Sequence, residues 1–256
     1  MHVPAFNDAL PGRLRRADLS DRRELRLAQA DAMSAAGEPE AAREVLLALR
    51  EGLEGEEGLA VDVQLSNTEF WLGHSDRARE RLLLALADLP AEPSRARMGL
   101  WLSLGLNSAL LADAEEASAR AGDAAGDAEA LGDVSARAAA FSLDALARRL
   151  GDLPAADEAR ARALEAFAEL DADTRATRLP AYWVFARTAD DLQEGLAFAA
   201  EGRAIAERTG RTSIALLIAV EEIALLRRYG RLSDAVELGE RTVAWAREAG
   251  LTPTLR

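Results

Sequence analysis

The chain has 256 residues, 49% of them hydrophobic, a mean hydropathy of −0.10 and a formal net charge of −13. That is enough apolar material for a sizeable core, and the acidic balance argues against a nucleic-acid binder, which carries a basic face. There is no Cys and no Lys, which excludes disulfides, thiolate chemistry, Schiff bases and a phosphate-binding P-loop Lys.

Leu, Ala, Glu and Arg dominate, aromatics make up 5%, and period-two runs of Val, Ile and Thr are absent, so the chain reads as all-α. Residues 1–19 hold two Pro, a Gly and the cations Arg13, Arg15 and Arg16. They read as a loosely ordered leader with at most one short helix, and they lack the apolar run of a signal peptide. The longest apolar run, Ile214 to Val220, is too short for a bilayer, which needs about 20 residues. A soluble cytoplasmic protein is the default expectation.

Ser20 or Asp21 should cap the first helix, with Glu24 completing a capping box on Asp21. That helix should run to a turn at Gly37. Pro39 then opens a helix striped by Leu46, Leu49 and Leu53. GEEG at 55–58 reads as a break. A helix over 59–72 turns at Gly73, and Ser75 caps its partner over 76–89, which stops at Pro90. Further pairs are expected over 94–111 and 114–131, 133–150 and 153–170, 176–189 and 192–209, and finally 211–230 and 231–250. The repeat domain is thus 20–250, in units 20–53, 59–90, 94–132, 133–170, 171–210 and 211–250. LTPTLR at 251–256 opens a further helix and stops, as an excised segment of a longer array would.

The repeat can be tested by counting. The turns at Gly37, Gly73, Ala112, Gly151, Asp190 and Gly230 are separated by 36, 39, 39, 39 and 40 residues. Five positions after them stand Ala42, Ala78, Ala117, Ala156, Gly195 and Ala235, all small. Twelve positions after them stand Leu49, Ala85, Ala124, Ala163, Gly202 and Thr242, mostly small. Crossing helices need small residues where their axes approach, so two columns in phase with the turns point to stacked helical hairpins.

The third unit reads Trp101-x-x-Leu104-Gly105-x-x-Ser108, then Ala117 and Ala124. This resembles the tetratricopeptide pattern, with Ser in the Tyr position. The small position seven before the turn holds Ala30, Ser66 and Gly105, and then departs to Asp144, Trp183 and Ile223. The spacing exceeds the usual ~34 residues, which implies longer helices and a less regular superhelix. Stretches such as GDLPAADEARARALEAF and GRLSDAVELGERTVAWAREAG are similar to the helical-repeat segment of large ATP-binding LuxR-type (MalT-like) bacterial regulators, over about residues 20–250. The resemblance implies an α-solenoid of about six tetratricopeptide-like pairs. It also implies an NTPase module before and a helix-turn-helix after such repeats, and neither stands in this sequence.

No glycine-rich phosphate motif follows a strand, and His2 and His74 are the only histidines. No catalytic residue, cofactor or metal is expected, and the chain reads as a non-enzyme. His74-Ser75-Asp76 holds triad residue types, but sequence neighbours cannot form the His-bridged geometry, so a capping turn is the better account. Glu54/Glu56/Glu57 and Asp113/Glu115/Glu116 read as solvated helix starts, where acids meet the macrodipole.

A row of Arg is the sharper pattern. In tetratricopeptide arrays the first helix of each pair lines the concave face, so positions two and three before each turn should project into that groove. They hold Arg148 and Arg149, then Arg187 with Thr188, then Arg227 and Arg228. Guanidinium forks bind carboxylates bidentately, which suits an acidic peptide, a protein partner or an anionic small-molecule effector. Arg in a last helical turn also favours the dipole and covers exposed carbonyls, so both readings stand. Asn67, Phe70 and Trp71 are a second candidate surface on the groove side of the second pair, as a recognition platform or as packing between helices. Trp101 reads as core. Tyr182 and Trp183 follow Pro180, which should start or kink its helix; a kink would widen the groove beside Arg187. Trp245, bared where a next repeat would stack, is a candidate homodimer contact. The function expected is a non-catalytic binding scaffold, the sensor and interaction segment of a LuxR-type regulator. A stand-alone tetratricopeptide adaptor is the alternative. Neither nucleic acid nor membrane is an expected partner of this segment.

Overall fold

In the computed structural model, residues 19–35, 38–53 and 55–248 are described, apart from the side chains of 19–22, 35, 56, 71 and 213. Residues 1–18 of the expected 1–19 leader, the turn at Gly37 and the stretch 249–256 lie outside the described residues, and Leu19 already belongs to the first helix. Among the described residues there are thirteen α-helices and no strand. Six hairpins follow one another: α1 (Leu19–Ala35) with α2 (Pro39–Arg50), α3 (Gly55–Trp71) with α4 (Ser75–Ala87), α5 (Arg95–Leu110) with α6 (Ala114–Leu131), and α7 (Val134–Leu150) with α8 (Ala156–Ala168). After the short α9 (Ala172–Thr177) come α10 (Leu179–Thr188) with α11 (Leu192–Arg208), and α12 (Thr212–Arg228) with α13 (Leu232–Glu248).

Most of the hairpin turns share one chemistry. The amide of His74 donates to Glu69 O, Asp113 to Ser108 O, Leu153 to Arg148 O, and Arg231 to Leu226 O, each reaching back over five residues. This closes the orphan carbonyls of the preceding helix and needs a left-handed residue at the bend. Gly73 and Gly230 supply it at φ 77° and 75°, while Ala112 adopts φ 64° in the third turn.

The fourth turn differs from expectation. Gly151 keeps φ −93°, and Asp152 and Ala155 take the left-handed conformation instead. The loop is longer, and α8 begins at Ala156 rather than 153. Ala156 is therefore only half-buried, and Ala159 is buried instead. The other small residues five after each turn, Ala42, Ala78, Ala117, Gly195 and Ala235, are buried. So are Ala85, Ala124, Ala163, Gly202 and Thr242 in the second column, with Leu49 half-buried. A methyl added at Gly202 would fall 2.5 Å from Tyr182 Cβ, and one at Gly105 would fall 2.7 Å from Leu143 Cδ2. The small columns stand where neighbouring helices come closest.

Other starts also shift. Ser20 and Asp21 lie inside α1, so the capping box at Asp21 does not begin it. The GEEG stretch is not a break but the first turn of α3. His74, not Ser75, is the residue before α4, and it makes no side-chain cap bond. The segment 176–189 is two helices: Asp171 caps α9 by accepting from the Thr174 amide, and Pro180 starts α10 rather than kinking it. The proposed widening beside Arg187 therefore does not follow.

Successive first helices touch: α3 with α5, α5 with α7, α7 with α10, and α10 with α12. Successive second helices make no comparable contact among the described residues, so the first helices line the tight inner side. One continuous core runs from Ala109 in α5 to Leu225 in α12, and smaller clusters serve the first two hairpins. No described helix is long and apolar enough to cross a membrane.

Candidate functional site

Elements set the position of the Arg row, and neighbouring acids set its direction. Arg148 donates from Nε to Asp144 at 2.9 and 3.0 Å and caps Pro154 O at 2.8 Å. Arg149 reaches Asp157 at 3.0 Å, Asp190 at 2.9 Å and Thr188 O at 3.4 Å. Arg187 meets the buried Glu221 at 2.8 Å; Arg228 lies 3.8 Å from the same carboxylate and donates to Arg187 O at 3.4 Å. Arg227 is exposed and has no partner among the described residues. Arg149 and Arg228 thus cover carbonyls at the C-terminal end of α10 from both sides, where a cation also favours the dipole.

The junction of α10 and α12 still carries an excess of positive charge. Arg187 and Arg228 stand against Glu221, whose Oε1 accepts no hydrogen bond, and Arg227 is exposed one position before Arg228 on α12. Tyr229 completes the rim by donating to Asp190 O at 2.8 Å. Asn67 is exposed on α3 beside the half-buried Phe70, and the Trp71 side chain lies outside the described residues. Arg187 and Arg228 meet at Glu221, Arg227 is exposed on α12 without a contact to either among the described residues, and Arg148 points into the crevice between α6 and α8.

That crevice holds an arrangement the sequence reading missed. Asp144 is buried and accepts from Ser118 Oγ at 2.6 Å, Arg148 Nε and Arg162 at 2.8 Å. It occupies the small position seven before the turn, so its departure from Ala, Ser or Gly was the available signal. A second crevice of about 600 Å³ opens between α2 and α4 over α3. Its floor carries Asp62 and Glu69, both buried, and Glu69 is fully enclosed. Arg50 meets Asp62 at 2.9 Å, Arg81 meets Glu69 at 3.2 Å, and Arg43 meets Glu69 at 3.4 Å. Buried carboxylates need such partners, and here each partner comes from an adjoining helix.

Trp101 is half-buried, with the guanidinium groups of Arg120 and Arg97 4.8 and 5.8 Å from its ring centre. Trp183 is buried, and Trp245 is half-buried against Leu216 and Ala246. Tyr182 donates to Glu201 at 3.0 Å, and burial together with that bond pushes its phenol up to about 12. Burial also raises the carboxyls of Asp127 and Glu222, more than Arg97 and Arg203 respectively lower them. Among the described residues no group of three His, Asp or Glu is placed to hold a metal.

No protein-family model matches the sequence, and no curated protein matches it. Solved structures do match the fold. Aspartyl phosphate phosphatase F from Bacillus subtilis superposes with a TM-score of 0.54 at 15% identity, over 89% of this chain. The chain is a tetratricopeptide-like α-solenoid. It spans 58% of the phosphatase's length. A putative kinesin light chain of Podosopora anserina with nearly identical TPR-like repeats gives a TM-score of 0.46 in a substituted form, at 16% identity over 92% of this chain and 99% of that one. A second structure of that protein gives 0.45 at 17% identity, over 89% and 96%. At these identities the likeness concerns the fold of the solenoid alone.

Proposed function

We propose that this solenoid is a non-catalytic scaffold that binds an acidic protein segment or anionic effector at the α10/α12 junction. The observation that carries the reading is the local charge: the guanidinium groups of Arg187 and Arg228 share the Glu221 carboxylate, and the adjoining Arg227 is exposed and unpaired among the described residues, in a chain of net charge −13. Arg227 offers an unspent fork, and Arg228 holds Glu221 only loosely at 3.8 Å. Arg228 is 45% exposed and its contact with the buried Glu221 is long, so an incoming carboxylate engages Arg228 and Arg227 while the Arg187–Glu221 pair stays in place. Asn67 on α3 is a further contact for a partner that extends along the array.

The array is the sensor and interaction segment of a LuxR-type ATP-binding regulator in this reading, supported by the repeat texture over residues 20–250. Occupancy would alter the stacking of α10 on α12 and so bias attached modules. A stand-alone adaptor is the second reading, supported by the same fold. Coding sequence for an NTPase and a helix-turn-helix adjoining this segment supports the regulator; a stop codon directly after Arg256 supports the adaptor.

A fluorescein-labelled hexaglutamate peptide, titrated by anisotropy at low salt, tests the site. Arg227→Glu with Arg228→Glu should weaken its binding at least tenfold, leaving Arg187 and Glu221 paired. Unchanged binding removes the junction from the account.

A further inference from the structure

The first and sixth hairpins meet. The last turn of α1 contacts the start of α12, and Arg211 lies 3.1 Å from both carboxylate oxygens of Asp31, 180 positions apart. The inner helices α3, α5, α7, α10 and α12 touch in succession, and α12 returns to α1. Five steps therefore complete one superhelical turn. The end of α1 meets the beginning of α12, so the turn rises by about one helix length, roughly 26 Å for 17 residues. Inner helices about 10 Å apart around so tight a turn leave a channel under about 10 Å wide once the helix radii are subtracted. A folded partner or a helix about 10–12 Å across does not fit.

We infer that the α1/α12 seam is a gate, and that the inner face becomes accessible only when α1 swings away from α12. Two features make it weak enough to open. Asp31 and Arg211 are each about half exposed, at 49% and 50%, so their attraction is screened by salt. Apart from α12, α1 packs on α2 and, through Ala30 and the Arg23–Glu57 ion pair, on α3. Leaving the seam therefore keeps the α1–α2 hairpin whole. Opening would part the two ends of one superhelical turn without unfolding any repeat. The gate stands on this geometry whether or not the α10/α12 junction binds anions, and its test uses no partner.

The chain contains no Cys, so a pair of labels can be placed cleanly. Ala32→Cys on α1 and Arg208→Cys at the end of α11 are both exposed and outside the ion pair. Nitroxides at these sites, read by pulsed electron paramagnetic resonance at low salt, should give a dominant short-distance population. Arg211→Glu, and independently Asp31→Arg, should raise the longer-distance population about fivefold, and combining the two should restore the short one. Circular dichroism should be unchanged throughout. A long, broad distribution in the parent pair, or charge reversals from both sides that leave the distribution unmoved, would overturn the gate.

Discussion

Gly202→Ala tests whether the small columns hold the hairpins together. Gly202 sits within α11, between α10 and α12. An added methyl would fall 2.5 Å from Tyr182 Cβ and 3.0 Å from Ile218 Cδ1. The Ile218 contact is the end of a side chain and can yield. The Tyr182 contact is next to the backbone of a residue 2% exposed, so relief requires α10 and α11 to separate. Overpacking of this kind costs about 1–3 kcal/mol, and the clash belongs at the upper end. Replacing Gly by Ala in a helix returns about 1 kcal/mol, for a net loss of about 2 kcal/mol. Gly126 within α6 is exposed, with nothing within 4 Å of its added methyl, so Gly126→Ala should gain up to about 1 kcal/mol. For a chain of this size, thermal denaturation should show a fall of about 4–8 °C for Gly202→Ala and a rise of about 2–4 °C for Gly126→Ala. Repeat arrays need not melt in one step, so hydrogen exchange should also show the loss concentrated in α10, α11 and α12. If both substitutions raise the midpoint, the close approach at Gly202 is wrong.

Asp144→Ala should destabilise by about 2 kcal/mol, because it strands two Arg that otherwise share a buried carboxylate, and chemical denaturation would measure it. The figure is reduced from the buried-pair value because Arg148 and Arg162 retain 30% and 52% exposure. Glu222 has its folded pKa raised above its ordinary 4.5, chiefly by burial, so the folded state binds the proton more tightly than the unfolded state. Its contribution to stability is therefore present at low pH and declines as pH rises from 4.5 through the raised value. Glu222→Gln should flatten that segment of the stability–pH curve and stabilise the chain at pH 7; a steeper curve would contradict the assignment. Arg227→Glu alone should leave the melting temperature within experimental scatter, since the side chain is exposed and unpaired, and a large drop would reveal a structural role.

Much of the architecture was written in local chemistry. The bends at Gly73, Ala112 and Gly230 and the buried Ala78, Ala117 and Ala235 depend on residues close in sequence, so counting finds them. The fourth turn escaped because a left-handed Ala155 after Pro154 gives no compositional sign of a lengthened loop. Helix α9 escaped because Asp171 creates a short capped turn inside what looked like a single helix. The Arg row was legible as a spacing but not as a direction. Glu221 and Asp190, which capture Arg187 and Arg149, lie a full repeat away, and helix periodicity cannot pair them. The Asp31–Arg211 contact lies further still from any local pattern, because it exists only once the superhelix has closed.

Stacked hairpins place Gly105 Hα against the Leu143 methyls, Gly195 Hα against Leu225, and Gly202 Hα against Ile218. A methyl-labelled nuclear Overhauser spectrum reads all three junctions at once. Strong cross-peaks for every pair are the expected result. Their joint absence in a well-folded helical sample would mean that the helices are packed in some other order, and the solenoid account would fail.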